Sequence, residues 1–262
     1  VDPGSRCDLK KGDRVTGLPI SPCGECEPCR TGNPQYCTKT WSQAVGLSMD
    51  NPGGYAEYTS CRPDMVRKLP DRVSDDEGAM VEPTAVSLHA VNLANIKIGS
   101  KVLVIGGGII GLMASEFSKM NGATYVAMLE TNQKRGRKAV GFGKVDEFYD
   151  ATKKGLVEKL KEKTNGGFDV VLECCGNSAA VSESISLVKP GGTVVLVGVS
   201  MNAISIPSIV AVMGEIKMLG AIAYTEEEFD KVIGLIANRK INVKKYIDAK
   251  VGLDQAQKSF ER

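Results

Sequence analysis

From residue 101 onward, apolar positions fall into strand-length runs, with stretches of helical spacing between most of them. Residues 102–105, 125–129, 169–173, 193–199 and 216–224 are mainly apolar, and 147–149 forms a weaker run. Consecutive apolar positions predict strands buried on both faces. Leu112, Met113, Phe117 and Met120 recur on one helical face, as do Leu156, Val157 and Leu160 within the lysine-rich run 153–163. This alternation predicts a parallel sheet with helices on both faces, joined by right-handed crossovers. A turn at Lys189-Pro190-Gly191-Gly192 leads into the fifth strand.

Residues 9–70 are patterned differently and predict a small β-rich unit. Lys11-Gly12-Asp13-Arg14-Val15 is a turn entering a strand, and Arg62-Pro63-Asp64 is a turn before a strand at 66–69. Tyr55-Ala56-Glu57-Tyr58-Thr59 alternates after Gly53-Gly54, which predicts a half-exposed strand. Ser74-Asp75-Asp76-Glu77 has capping-box spacing and predicts a short helix to Glu82, interrupted at Pro83, with a second helix over 84–94. Thr225-Glu226-Glu227-Glu228 repeats the signal and opens a helix facing inward through Phe229, Val232, Ile233 and Ile236. A last strand at 246–251 and a helix capped by Asp254 complete the reading.

The candidate chemistry centres on 101–130. Gly106, Gly108 and Gly111 stand at the first, third and sixth positions of the turn between the first parallel strand and its helix. The first allows the turn, the second lets backbone approach a pyrophosphate, and the third lets helix pack on strand. The helix start at Ile109 and Ile110 offers N–H groups and a positive dipole end to phosphates. Glu130 ends the second strand, about 20 residues further on, where an acid holds the ribose hydroxyls of a dinucleotide. A carboxylate there accepts from a 2′-hydroxyl and repels a 2′-phosphate, which favours NAD over NADP, with Lys134 and Arg135 nearby as the residues that could instead accommodate a 2′-phosphate. An ordinary strand–helix turn with a solvated Glu is the alternative, and the combined context favours the dinucleotide. Cys174-Cys175-Gly176 and Gly198-Val199 also fall at carboxyl ends of strands, where such sheets bind ligands.

Net charge is +2 and aromatics are 5%, which argues against a nucleic-acid partner. No apolar run approaches the roughly 20 residues of a bilayer span, and no charged-then-apolar leader opens the chain, so a cytoplasmic protein is expected. Of eight cysteines, Cys7, Cys61, Cys174 and Cys175 lie outside a cluster formed by Cys23, Cys26, Cys29 and Cys37. That clustering favours metal over disulfides. Four thiolates on a Gly/Pro-punctuated loop close a tetrahedral zinc site with no open position, which makes the zinc structural. A ferredoxin-type iron–sulfur run needs a fourth cysteine after three residues followed by proline. Here seven residues intervene and Thr38 follows Cys37. Glu82, at the expected joint between two helices, reads equally as a solvated or capping acid or as a functional one. His89, the only histidine, reads as a packing residue.

Together, Gly12-Asp13-Arg14-Val15, the four cysteines, Gly53 to Tyr58, Glu82-Pro83, Val102 to Gly106, Lys189 to Gly192 and Val197-Gly198-Val199 resemble the zinc-dependent medium-chain alcohol dehydrogenases over nearly the whole chain. Glu82 to Val91 is most similar to the polyol, butanediol and threonine dehydrogenase branch. The resemblance implies an α/β fold: a Rossmann-type doubly wound parallel sheet with the remnant of a GroES-like β-rich catalytic domain. The implied divisions are 1–84 with the zinc loop at 21–40, an NAD domain at 85–243, and the start of a return segment at 244–262. The implied cofactor contacts are Gly106, Gly108, Ile109, Ile110, Gly111, Glu130, Arg135 (over the adenine), Cys174, Val197, Gly198 and Val199. The implied activity is NAD-linked oxidation of a secondary alcohol, diol or polyol at a catalytic zinc, in homodimers or homotetramers built through the sheet edge near 204–218. Of that zinc's family ligands only the Glu-Pro glutamate maps here, onto Glu82. A cysteine and a His-Glu pair belong to an amino-terminal segment that this chain lacks, and the closing strands are cut short at Arg262. The expectation is a chain that binds NAD and one structural zinc without turning over, the alternative being a non-catalytic NAD-binding module. The cysteine loop argues against the zinc-less quinone reductases.

Overall fold

The computed structural model describes residues 8–142 and 144–261. Cys7 and the opening residues lie outside them. Contacts divide the chain into two compact units, 1–85 with 223–262, and 86–222.

In the first unit, β1 (Val15–Gly17) pairs antiparallel with β2 (Val66–Lys68), Val15 opposite Lys68. Leu18, Ile20, Met65, Leu69 and Val73 are buried around this pair. The segment between the strands is built from short turns of helix, α1 (Glu27–Arg30) and α2 (Thr40–Gln43). The strand expected at 55–59 does not form. Tyr55 and Tyr58 are 76% and 90% exposed, so the alternation buries neither face. A strand needs a ladder partner for its backbone groups, and the nearest bridging is the isolated Ser48–Asn51 pair.

The first capping box is present: Ser74 caps α3 (Asp75–Ala79), and the Glu77 carboxylate accepts from the Ser74 amide at 2.8 Å. The break expected at Pro83 instead falls at Met80, and α4 (Val81–Ala94) runs through the proline. Pro83 sits in the first turn, where its missing N–H has no intrahelical partner to lose. Glu82 is therefore a first-turn residue rather than a joint between helices.

The second unit contains β3 (Lys101–Ile105), α5 (Ile109–Met120), β4 (Tyr125–Glu130), α6 (Gln133–Gly141), β5 (Glu147–Asp150), α7 (Leu156–Thr164), β6 (Phe168–Glu173), α8 (Ser178–Leu187), β7 (Val188–Leu196), α9 (Ser208–Met213) and β8 (Lys217–Gly220). Among the described residues the strands form one parallel sheet in the order β5-β4-β3-β6-β7-β8. Val102, Leu103, Val104 and the whole run Val126–Leu129 are buried, as continuous apolar strands should be. β7 starts earlier and ends sooner than expected. The Lys189–Gly192 turn is absorbed into it as an irregular register between Phe168 and Val170 of β6, and 197–199 lie beyond it. β8 stops at Gly220, short of the expected 224.

The chain then returns to the first unit. Thr225 caps α10 (Glu226–Ala237) with both halves of the second capping box, and Phe229, Val232, Ile233 and Ile236 are buried. No strand forms at 246–251. Val243–Tyr246 coils as a single 3-10 turn, and among the described residues nothing offers the following segment a ladder. A further 3-10 turn, Leu253–Gln255, precedes α11 (Ala256–Phe260), so Asp254 lies inside a turn whose cap position is Gly252.

Candidate cofactor crevice and metal centre

At the end of β3 the chain turns through Gly106, whose φ of +105° lies in the region that favours glycine. Gly108 takes the cap position of α5 and contributes no capping side chain, so the first amides of the helix keep their orphan donors. A Cβ on Gly108 would meet nothing within 4 Å, whereas one on Gly111 would lie 1.9 Å from the Gly106 carbonyl oxygen. The turn is thus closed against its own helix and open where Gly108 faces outward. That combination suits a bound anion. Ser87 of α4 donates to the Ile110 carbonyl at 3.0 Å and steadies the helix entry.

Glu130 is almost completely buried at the end of β4. One carboxylate oxygen accepts the Gly107 amide at 2.8 Å, and the other accepts the Asn132 amide at 2.8 Å and the Thr131 hydroxyl at 3.1 Å. Arg135 approaches to 3.8 Å. Burial raises the pKa of this carboxyl, but the amides of Asn132 and Gly107, with Arg135 and Thr131, more than offset it and hold it below the ordinary value. The acid is therefore an oriented carboxylate fastened to the glycine turn, with one acceptor position left on the oxygen that takes the Gly107 amide.

The carboxyl ends of β6 and β7 close on the same turn. The Cys174 amide donates to the Ile105 carbonyl at 2.8 Å, and the Val197 and Gly198 amides donate to the Glu173 carbonyl at 2.8 and 2.9 Å. Val199 is exposed beside Gly176. Burial pushes both thiols here up, Cys175 to about 11, so neither is a ready nucleophile. Gly106, Gly108, Ile109, Ile110, Gly111, Glu130, Cys174, Val197, Gly198 and Val199 thus gather at one end of the sheet, with Arg135 beside Glu130. Sequence reasoning passed over Glu173, which read as the last residue of a strand, and Gly107, which serves by its amide. A buried acid at the end of a central strand is the signal that would have found the first.

In the first unit, the Sγ atoms of Cys23, Cys26, Cys29 and Cys37 all lie within 4.8 Å of one another. Tetrahedral Zn–S bonds of about 2.3 Å put sulfurs roughly 3.8 Å apart, so the group fits zinc. Backbone amides already point at the sulfurs: Cys23 N–H at Cys37 Sγ, 3.3 Å, and the amides of Glu25 and Cys26 at Cys23 Sγ, each 3.4 Å. Against the opposing effect of burial, the Cys23 and Lys39 amides hold Cys37 at about 6. Such donors favour thiolate, the form that binds metal.

Glu82 is partly buried, and burial raises its carboxyl pKa. The Tyr224 hydroxyl, fully buried with no partner at hydrogen-bonding geometry among the described residues, lies close enough to Glu82 to work against that rise. Among the described residues no set of three metal-ligating groups forms around Glu82. The described residues therefore do not by themselves supply a ligand set for a catalytic zinc at Glu82. His89 is buried on α4.

These features define a class: a doubly wound nucleotide-type sheet in one chain with a four-cysteine metal loop. Residues 110–238 match the zinc-binding dehydrogenase family, and residues 1–71 match the alcohol dehydrogenase GroES-like domain. D-xylulose reductase A of Aspergillus niger is 30% identical over 257 residues, covering 97% of this chain and 71% of that protein. The structure of 2R,3R-butanediol dehydrogenase from Bacillus subtilis superposes with a TM-score of 0.83 at 30% identity, covering 96% of this chain and 70% of that one. An NADP-bound protein from Sinorhizobium meliloti 1021, described as a zinc-binding dehydrogenase, superposes at 0.89 with 31% identity, covering 97% and 74%. The chain belongs to the zinc-binding medium-chain dehydrogenases, among relatives of the polyol and butanediol type.

Proposed function

We propose that the chain serves NAD-linked oxidation of a secondary alcohol, diol or polyol by hydride transfer, with a structural zinc on Cys23, Cys26, Cys29 and Cys37. The observation that carries this reading is Glu130, an ionised carboxylate fixed by the Gly107 and Asn132 amides beside the open Gly108 cap. In the bound state the α5 amides take the pyrophosphate, and Glu130 accepts from the ribose hydroxyls. Arg135, 3.8 Å from Glu130, would lie over the adenine as the family resemblance implies. The xylulose reductase and butanediol dehydrogenase relatives support the substrate class. The NADP-bound relative makes the cofactor preference a point for experiment. The functional division follows 1–84, 85–243 and 244–262, with subunits joined as dimers or tetramers through the sheet edge at 204–218.

The chemistry a catalytic zinc would supply is polarisation of the alcohol oxygen, and Glu82 is the residue here that would help hold it. Of that zinc's family ligands only Glu82 maps onto the described residues, and such a site takes about three from the protein. The chain alone is therefore proposed to bind cofactor and one zinc without turnover. That single ligand also favours a second reading, a non-catalytic NAD-binding module. Metal analysis with an activity screen on diols, polyols and threonine tests the proposal. One zinc per chain and no turnover are expected from these residues, with turnover from the full-length relative that supplies the remaining ligands. Two zincs per chain, or diol oxidation by the 262 residues, would show the catalytic centre has been misjudged. Absence of turnover in that relative would favour the module.

A further inference from the structure

The sheet changes winding direction between β3 and β6, and ligands of such sheets sit at that point. Ile105 and Glu173 close this strand pair as register partners. Glu173 is 0% exposed. Its Oε1 accepts the Cys175 amide at 2.7 Å and the Gly176 amide at 3.0 Å, and Oε2 accepts the Gly176 amide at 3.3 Å. Its own carbonyl accepts the Val197 and Gly198 amides. One residue thereby fixes the loop after β6 with its carboxylate and the loop after β7 with its backbone.

The spacing leaves these loops little room. A Cβ on Gly106 would lie 2.8 Å from Cys175 Sγ, one on Gly176 would lie 2.3 Å from the Val199 carbonyl oxygen, and one on Gly198 would lie 1.9 Å from the Gly176 nitrogen. A small displacement of 174–177 is therefore passed to the Gly106 turn and to 197–199. A buried carboxylate is expensive to keep, and for strand packing alone an apolar residue of similar size serves as well. The three acceptor contacts are what a leucine at this position would forfeit.

We propose that Glu173 is the positioning residue of the cofactor crevice, holding 174–177 so that the glycine turn and 197–199 keep their binding geometry. The proposal rests on the NAD reading above. It is tested with Glu173→Gln, which keeps an acceptor for Cys175 and Gly176, and Glu173→Leu, which keeps none. NAD affinity is read by calorimetry and local order by amide hydrogen exchange. Loss of one to three of these hydrogen bonds should weaken NAD about fivefold in E173Q and about thirtyfold or more in E173L. Amides 175 and 176 should exchange faster in E173Q while β3 and β4 keep their protection, and saturating NAD should restore it. Should E173L fail to fold, E173Q carries both readouts. Variants with NAD affinity within about twofold of a binding wild type, or with unchanged exchange at 174–177, overturn the role of Glu173 alone. A wild-type chain that binds neither NAD nor NADH overturns the NAD reading and this proposal together.

Discussion

Replacing Glu130 with alanine removes the proposed acceptor for the ribose hydroxyls and frees the Gly107 and Asn132 amides. NAD should then bind about 10- to 100-fold more weakly, and discrimination against NADP should shrink, as dissociation constants for both cofactors would show. Gly111 is the other sharp test at this scale. A methyl there meets the Gly106 carbonyl at 1.9 Å. Gly111→Ala should lower stability by roughly 1–3 kcal/mol in thermal unfolding, unlike Gly108→Ala, whose Cβ enters open space. The Gly108 variant should instead lose cofactor affinity. Glu130 and the glycines were legible because their positions are dictated by spacing from a strand. Glu173 was not, since an acid closing a strand reads as solvent-exposed until the loops folded over it are seen. Tyr224 was equally hidden, because its approach to Glu82 joins distant parts of the chain.

Helix ends behave as the local sequence dictates. Both capping boxes formed where Ser74/Glu77 and Thr225/Glu228 predicted them. Ser74→Ala should cost about 1 kcal/mol, measured by denaturant unfolding. Glu77 adds a pH dependence. Burial raises its pKa, but the Ser74 amide and hydroxyl, Lys244 and Arg239 hold it below the ordinary glutamate value. A folded-state pKa depressed in this way gives stability that is fully present above the unfolded pKa of about 4.3 and is lost as pH falls through the folded value. Glu77→Gln should flatten the acid limb of the stability curve, and an unchanged limb would count against the assignment. Elsewhere at this scale the sequence misled. The 55–59 and 246–251 segments alternate or carry apolar residues, yet neither has a strand beside it. Pairing is a property of the fold, which local pattern does not report.

At the scale of the whole chain, the continuous apolar strands and the spacing of helices between them made the parallel sheet legible, down to the strand carrying Glu130. The cysteine loop was legible for a different reason, since four thiols within fifteen residues have few uses besides a metal. Chelation should therefore act on one unit. Removing zinc is expected to loosen the amino-terminal unit, exposing its thiols to a thiol reagent and melting its circular dichroism signal at lower temperature, while exchange protection in β3 and β4 persists. Simultaneous loss of protection in the sheet would mean that the metal supports both. Among the described residues no set of three metal-ligating groups includes Glu82, which is why turnover by these residues is left to the activity screen. The crevice is proposed to prefer NAD over NADP through Glu130. Calorimetric titration of the zinc-loaded chain with NAD and with NADP tests it most directly. One NAD bound per chain, with NADP weaker by at least about tenfold, is the expected result. Equal affinities, or no binding of either dinucleotide, would contradict it.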